Sequence, residues 1–111
     1  MVGSRYGVFG TKTRSNILLA LALLGESHAS ELSRLLDTSL SNVQKTLDSL
    51  EQVGIVSGAM LGRERRVRLD PRYYARDELS ALLTKLAVQN QELVEAVSGI
   101  RRRPRRSGKA L

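Results

Sequence analysis

The sequence contains no cysteine and only one histidine, His28, among its 111 residues. The absence of cysteine excludes disulfide bonds, thiol catalysis and thiolate metal sites. A single histidine leaves no histidine-rich metal site and no histidine relay, so we expect no metal and no cofactor. We also expect that the protein is not an enzyme, because we identify no paired carboxylates, no nucleophile with a base and no phosphate-binding loop.

Long apolar segments are also lacking. The most apolar run covers residues 17–24, whereas a membrane-spanning helix needs roughly 20 apolar residues. The chain does not begin with a basic region followed by an apolar stretch and a cleavage site, so we expect no signal peptide. Together with the absence of cysteine, this pattern favours a cytoplasmic protein without a membrane partner.

Aromatic residues make up only 4% of the sequence. Phe9 is the only phenylalanine, and the three tyrosines are Tyr6, Tyr73 and Tyr74. None of them lies in the basic and polar segments described below. Because proteins that bind single-stranded RNA combine a basic surface with aromatic side chains for base stacking, RNA binding is disfavoured.

The positive charge is concentrated at the end of the chain. Residues 101–111 hold six of the 18 Lys and Arg residues and no acidic residue, while residues 1–100 hold the other 12 and all 11 Asp and Glu residues. The glycine, proline and serine among these arginines predict a basic disordered tail over residues 101–111. The tail either contacts DNA phosphates or keeps the protein soluble, and the sequence does not separate these two roles.

Helical periodicity predicts three helices after an N-terminal arm of residues 1–10. The first begins near Thr11 and ends at Gly25, and the second begins near Ser27 or His28. The third follows Ser39, whose hydroxyl can accept a hydrogen bond from a free backbone N–H of the first turn. The predicted inner face of the third helix consists of Val43, Leu47, Leu50 and Val53.

The outer face of the third helix is small and polar. Asn and Gln side chains can pair with adenine edges, serine with several bases, and lysine with guanine or a phosphate. A helix that follows a tight turn can place such side chains in the major groove, although a polar outer face is also ordinary in a small helical domain. The candidate DNA-binding residues of this helix are Ser39, Ser41, Asn42, Gln44 and Lys45.

A basic β-hairpin follows, with strands predicted over residues 55–60 and 65–69 and a turn between them. In the second strand, Arg66 and Arg68 share one face while the apolar Val67 and Leu69 share the other. Two arginines are therefore expected to project outward together, with two more at or beside the tip. A helix-turn-helix followed by a basic hairpin predicts a winged helix domain over residues 11–75, mainly α with a small β-hairpin (α+β). The candidate DNA-binding residues of the wing are Arg63, Arg65, Arg66 and Arg68.

Residues 76–100 predict one long helix with an apolar stripe that steps alternately by four and three residues. Asn90 falls at an a position of this heptad pattern, where a polar residue can fix register and oligomeric state. We expect the first half of the stripe, Leu79 to Leu86, to lie near the domain's own core. The second half, Asn90 to Ile100, has no partner within so short a chain and is expected to contact a second subunit, so residues 76–100 are predicted to form a dimerisation helix. The expected homodimer contacts are Leu83, Leu86, Asn90, Leu93 and Val97.

The segments 32–47 and 50–56, with the turn at Asp37-Thr38-Ser39, resemble the winged helix domains of ArsR and MarR-like regulators. The resemblance implies that the polar residues of the third helix face DNA, that Arg63, Arg65 and Arg66 lie in the wing, and that the last helix mediates dimerisation. Metal-sensing ArsR proteins often carry two cysteines at the start of the second helix. Here His28 and Ser30 take those places, and they form a poor site for a soft metal.

A second resemblance covers the region from Phe9 to Tyr74, which is similar to winged helix domains fused to small nucleotidyltransferases. No catalytic carboxylate domain follows in this sequence.

Taken together, these features predict a homodimeric, sequence-specific regulator, a repressor, that binds double-stranded DNA. The alternative is a protein-interaction module, such as an antitoxin-like partner of a separately encoded protein, because a fold alone does not determine function.

Overall fold

The computed structural model describes residues 10–102 and is mainly helical, with one small antiparallel sheet. This confirms the predicted α+β winged helix-turn-helix fold. Residues 1–9 of the predicted arm and residues 103–111 of the predicted tail lie outside the described residues. The elements are α1 (Lys12–Leu24), β1 (Glu26–Ser27), α2 (Ala29–Leu36), α3 (Leu40–Gln52), β2 (Val56–Leu61), β3 (Glu64–Leu69), α4 (Arg76–Ala87) and α5 (Gln91–Arg102).

Helix α1 forms the centre of the core. Five consecutive residues, 17–21, are at most 1% exposed, and the helix contacts all four other helices. A helix that is apolar on every side is stable only when it is surrounded by other elements. Its ends are fixed as predicted, because Thr11 Oγ1 accepts a hydrogen bond from the Arg14 backbone N–H and Gly25 takes a positive φ of 84° at the C-terminus.

Helices α2 and α3 form the helix-turn-helix. Asp37 ends α2 in the left-handed conformation, and the Ser33 hydroxyl donates to the Thr38 carbonyl at 2.6 Å. Ser39 then caps α3, since its Oγ accepts from the Asn42 backbone N–H at 3.2 Å. These contacts confirm the predicted turn and the predicted cap, and they connect the end of α2 to the start of α3 through short-range hydrogen bonds.

The sheet has three strands in the order β1-β3-β2. Strands β2 and β3 form the predicted hairpin, which closes through Gly62 and Arg63. Of these two residues only Gly62 has a positive φ, 68°, which is the pattern of a type II′ turn. Strand β1 pairs with the free edge of β3. This strand was not predicted from the sequence, because two residues are too few to show a period.

The prediction of one long helix over residues 76–100 is wrong. Helix α4 ends at Ala87 and α5 begins at Gln91. Asn90 caps α5, because its Oδ1 accepts from the Leu93 backbone N–H at 3.1 Å and its carbonyl accepts from the Val94 N–H at 3.0 Å. The heptad pattern is therefore interrupted by a turn, and Asn90 is a capping residue rather than an a position of a coiled coil.

The break lets both helices pack on α1 of the same chain. Leu83 and Leu93 are completely buried, Val97 is 4% exposed and Asn90 is 8% exposed. The premise that the second half of this apolar stripe has no partner within the chain is thus wrong. Of the five residues predicted for the dimer interface, only Leu86 keeps a partly exposed side chain.

Val53 and the first two arginines of the predicted tail lie in other elements than predicted. Val53 was assigned to the inner face of α3, but it follows the helix and is 56% exposed. Arg101 and Arg102, assigned to the tail, belong to α5, and the Arg101 guanidinium donates to the Leu23 carbonyl. None of the helices within residues 10–102 is long and apolar enough to span a membrane.

Candidate nucleic-acid interface

The surface of α3 divides sharply between its two faces. Val43, Leu47 and Leu50 are at most 1% exposed, as predicted. All five candidate residues of the outer face are exposed. Three of them, Ser41, Gln44 and Lys45, make no side-chain hydrogen bond or ion pair with any residue in the described part of the chain, and we call them the polar row.

Ser39 and Asn42 have structural contacts instead. Ser39 is the helix cap, and the Asn42 amide Nδ2 donates to Thr13 Oγ1 at 3.2 Å. A second bond of this kind joins the Arg14 guanidinium to Ser49 Oγ at 3.1 Å. Both bonds join the first turn of α1 to α3. Sequence reasoning missed Thr13 and Arg14, because contacts between residues 29 and 35 positions apart leave no local pattern.

Arg65 connects the wing to α3. Its guanidinium forms ion pairs with Asp48, at 3.1 Å, and with Glu51. Partial burial acts to lower the pKa of Arg65, but hydrogen bonds and charges from the two carboxylates outweigh it and raise the pKa above its ordinary value. Arg65 therefore sets one positive charge against the two carboxylates on the second half of α3.

Gly58 makes room for this arginine. A Cβ atom at Gly58 would lie 3.0 Å from Arg65 Nε, a distance at which the side chain would have to shift. The absence of a side chain at this strand position lets the arginine cross the hairpin toward α3. The sequence showed only an isolated glycine in a strand, which commonly marks a close approach of this sort.

Arg66 is held in a second charge cluster. Its Nε lies 3.0 Å from Glu26 Oε2, and its Nη1 lies 3.6 Å from Glu64 Oε2. His28 Nδ1 lies 2.8 Å from the same Glu64 oxygen and 3.1 Å from Arg66 Nη1. The register confirms that Arg66 shares a face with Arg68. The charge of Arg66 is nevertheless used within the domain, which the sequence did not predict.

Arg63 and Arg68 are the wing arginines without a carboxylate partner in residues 10–102. Arg63 lies in the turn at the wing tip, and it borders, together with Gln44 of α3, a groove of ≈ 520 Å³. Arg68 lies five residues further along β3, about 16 Å away at the rise of a β-strand. Of these two arginines, only Arg63 lines the groove that it shares with Gln44 of the polar row.

The acidic residues of α3 are separated from the polar row along the helix. Asp48 and Glu51 lie on the second half of α3, whereas the polar row lies in its first turns. Within residues 10–102, no group of three or more His, Asp or Glu side chains is arranged to hold a metal ion. The arrangement suits recognition of a polyanion by the start of α3 and the tip of the wing.

The comparison with protein families agrees with this geometry. Residues 11–57 match the family model described as "Bacterial regulatory protein, arsR family". The match runs from the cap of α1 into β2 and so contains the whole helix-turn-helix, while the structure adds the rest of the wing. A comparison with curated protein sequences gave no match. The domain match supports a DNA-binding transcriptional regulator and points away from an enzyme.

Proposed function

From the arsR-type helix-turn-helix domain at residues 11–57, we propose that the protein is a sequence-specific regulator that binds double-stranded DNA. It acts in the cytoplasm as a homodimer and represses transcription by occupying promoter DNA. The observation that carries this proposal is the exposed polar row of α3 beside Arg63 at the wing tip.

The first half of α3 enters the major groove in this proposal. Gln44 can form a bidentate pair with adenine, and Lys45 can donate to guanine or to a phosphate. The second half of the helix carries Asp48 and Glu51, which phosphates would repel. Because Arg65 pairs with both carboxylates, it offsets part of the negative charge that this half of the helix would bring close to the DNA backbone.

The wing contributes through two kinds of arginine. Arg63, at the tip, contacts phosphates or the minor groove directly. Arg65 and Arg66, predicted from the sequence as direct contacts, support DNA binding through their ion pairs, since these hold the hairpin against α3 and β1. We leave Arg68 out of the proposed DNA surface because it lies at the base of the hairpin.

The homodimer places two recognition helices in successive major grooves, about 34–36 Å apart, on an inverted repeat. Its contact surface is the outer face of α4. Leu82 is 47% exposed there, and Leu79 and Leu86, three residues before and four after it, are only partly buried. This spacing puts the three leucines on one helix face, where a second copy could cover them.

The test is equilibrium binding of the full chain to the DNA upstream of its own gene and to random DNA of equal length, at two salt concentrations. A specific regulator should prefer the upstream DNA by about three orders of magnitude or more. Weak binding of both DNAs that disappears at the higher salt concentration would contradict the proposal. It would assign the affinity to the basic residues 101–111 and favour a protein partner.

A further inference from the structure

The outer face of the sheet carries two neighbouring clefts, of ≈ 430 Å³ and ≈ 470 Å³. Both are lined by Glu26, Arg68 and Pro71, so they adjoin each other along β1 and β3. Volumes of about 300–1,000 Å³ are typical of small-molecule sites. The clefts lie at the base of the wing, away from the polar row and from the wing tip.

Some of the charged side chains that line the clefts have partners within the domain, and one does not. Arg66 pairs with Glu26 at 3.0 Å, and the Asp70 carboxylate accepts from the Arg72 backbone N–H at 2.9 Å. Arg68 lines both clefts, is exposed, and has no carboxylate partner within residues 10–102. A guanidinium in this position is suited to a carboxylate or phosphate, which it can bind through two parallel hydrogen bonds.

Two further arginines flank this position. Arg72 lines the first cleft; its Nε lies 3.5 Å from Asp70 Oδ1, and its side chain is 86% exposed. Arg76 lines the second cleft at the start of α4, and its only carboxylate partner in the described chain is its exposed neighbour Asp77, at 2.9 Å. Both are long side chains on the cleft rim, and each can turn toward an anion held at Arg68.

The second cleft also has an apolar part. It is lined by Ala22 and Leu24 at the end of α1, by Leu69 at the end of β3 and by Pro71. Polynucleotide phosphates would leave this apolar surface uncovered, whereas a small molecule with an acidic group and a hydrocarbon portion would cover it. Sites for such ligands typically combine apolar walls with a few placed polar groups.

We propose that these clefts form a binding site for a small organic anion, with Arg68 as the primary anion ligand and Arg72 and Arg76 as flanking cations. The apolar residues at the end of α1 receive the hydrocarbon part. This site is separate from the proposed DNA surface, and it can be present or absent whether or not the protein is a sequence-specific regulator.

The test is a titration of the ¹⁵N-labelled full chain followed by NMR, with phenyl phosphate as the probe. Inorganic phosphate supplies the charge alone, and phenol supplies the ring alone. We expect saturable shifts around residues 22–26 and 66–76, with phenyl phosphate binding at least about tenfold more tightly than either control. Equal binding of inorganic phosphate, or shifts confined to the basic residues 103–111, would overturn the proposal.

Two matched variants complete the test. Arg68→Gln should weaken phenyl phosphate binding by about tenfold or more, in line with the loss of a charge-assisted hydrogen bond, and should leave DNA affinity unchanged. Arg63→Gln should leave phenyl phosphate binding unchanged. If Arg68→Gln bound phenyl phosphate as well as the unmodified chain, or lowered DNA affinity as much as Arg63→Gln does, the assigned site would be wrong. Because both side chains are exposed, neither variant should disturb folding.

Discussion

Arg63 differs from Arg65 and Arg66 in what it contacts. Arg65 faces Asp48 and Glu51, and Arg66 faces Glu26 and Glu64, while Arg63 has no such partner in the described residues. An arginine already paired within the domain must give up that pair before it binds a phosphate. The sequence places these residues together as one basic run, and only the three-dimensional contacts separate a free cation from two paired ones.

This difference predicts a specific salt effect. Replacement of Arg63 by Gln should remove about one phosphate contact per protomer and reduce the slope of log affinity against log salt by about 0.9 for each. The slope is measured by fluorescence anisotropy of a labelled duplex over a range of salt concentrations. Arg72→Gln serves as the control, because Arg72 is exposed and lies outside the proposed DNA surface. Equal slopes for Arg63→Gln and the unmodified chain would remove Arg63 from the DNA contacts.

Asn90 illustrates how a residue type can suggest the wrong role. Its spacing from neighbouring leucines fits a coiled-coil a position, where a buried asparagine lowers stability in exchange for register. In the structure its side chain caps α5, and caps of this type typically stabilise a protein by about 1 kcal/mol. The two roles predict opposite signs for its removal.

The expected result is that Asn90→Ala lowers the free energy of unfolding by about 1 kcal/mol. Asn90→Ser should lose less, because the serine hydroxyl retains an acceptor for the Leu93 N–H. Urea denaturation followed by circular dichroism measures both changes. An increase in stability for Asn90→Ala would contradict the capping role.

At the scale of the elements, local signals predicted most of the fold. Thr11, Gly25, Ser39 and the turn at Asp37 mark helix ends through interactions within four or five residues, and all appear as expected. The alternation over residues 65–69 likewise predicted which side of β3 is buried. Such features are legible in a sequence because the backbone groups that they satisfy lie only a few residues away.

The remaining features depend on contacts between distant residues. Strand β1 exists because Glu26 and Ser27 lie beside Arg68 and Val67, and two residues have no detectable period. The break before Gln91 was missed because the apolar spacing continues across it without a proline or glycine. The candidate site was likewise predicted only in part. Helical spacing predicted the polar row of α3, but no sequence pattern predicted the carboxylate partners of Arg65 and Arg66.

At the scale of the whole molecule, the fold leaves a different surface available for dimerisation. Helices α4 and α5 cover α1, so the residues first assigned to a dimer interface are largely used within one chain. The outer face of α4, with Leu82 at its centre, remains exposed. A dimer of the proposed kind therefore requires this face. A substitution at Leu82 can disrupt the face without changing the buried core.

Replacement of Leu82 by Glu should convert a dimer of twice 12.3 kDa into a monomer, because two buried like charges would oppose each other at the interface. Thr84→Glu is the matched control, since it adds the same charge at an exposed position on the opposite side of α4. Sedimentation velocity measures the mass of each. If Leu82→Glu remained dimeric, or the unmodified chain were monomeric, the proposed interface would be incorrect.

The central claim is that the start of α3 reads DNA sequence. The most direct test is the ratio of affinities for a selected DNA site and a scrambled site, measured for the double variant Gln44→Ala, Lys45→Ala. Gln52→Ala is the control, because Gln52 is exposed on the last turn of the same helix. The account predicts that the double variant reduces the ratio by about tenfold or more, while Gln52→Ala leaves it unchanged. An undiminished ratio for the double variant would contradict the assignment of α3 as the recognition helix.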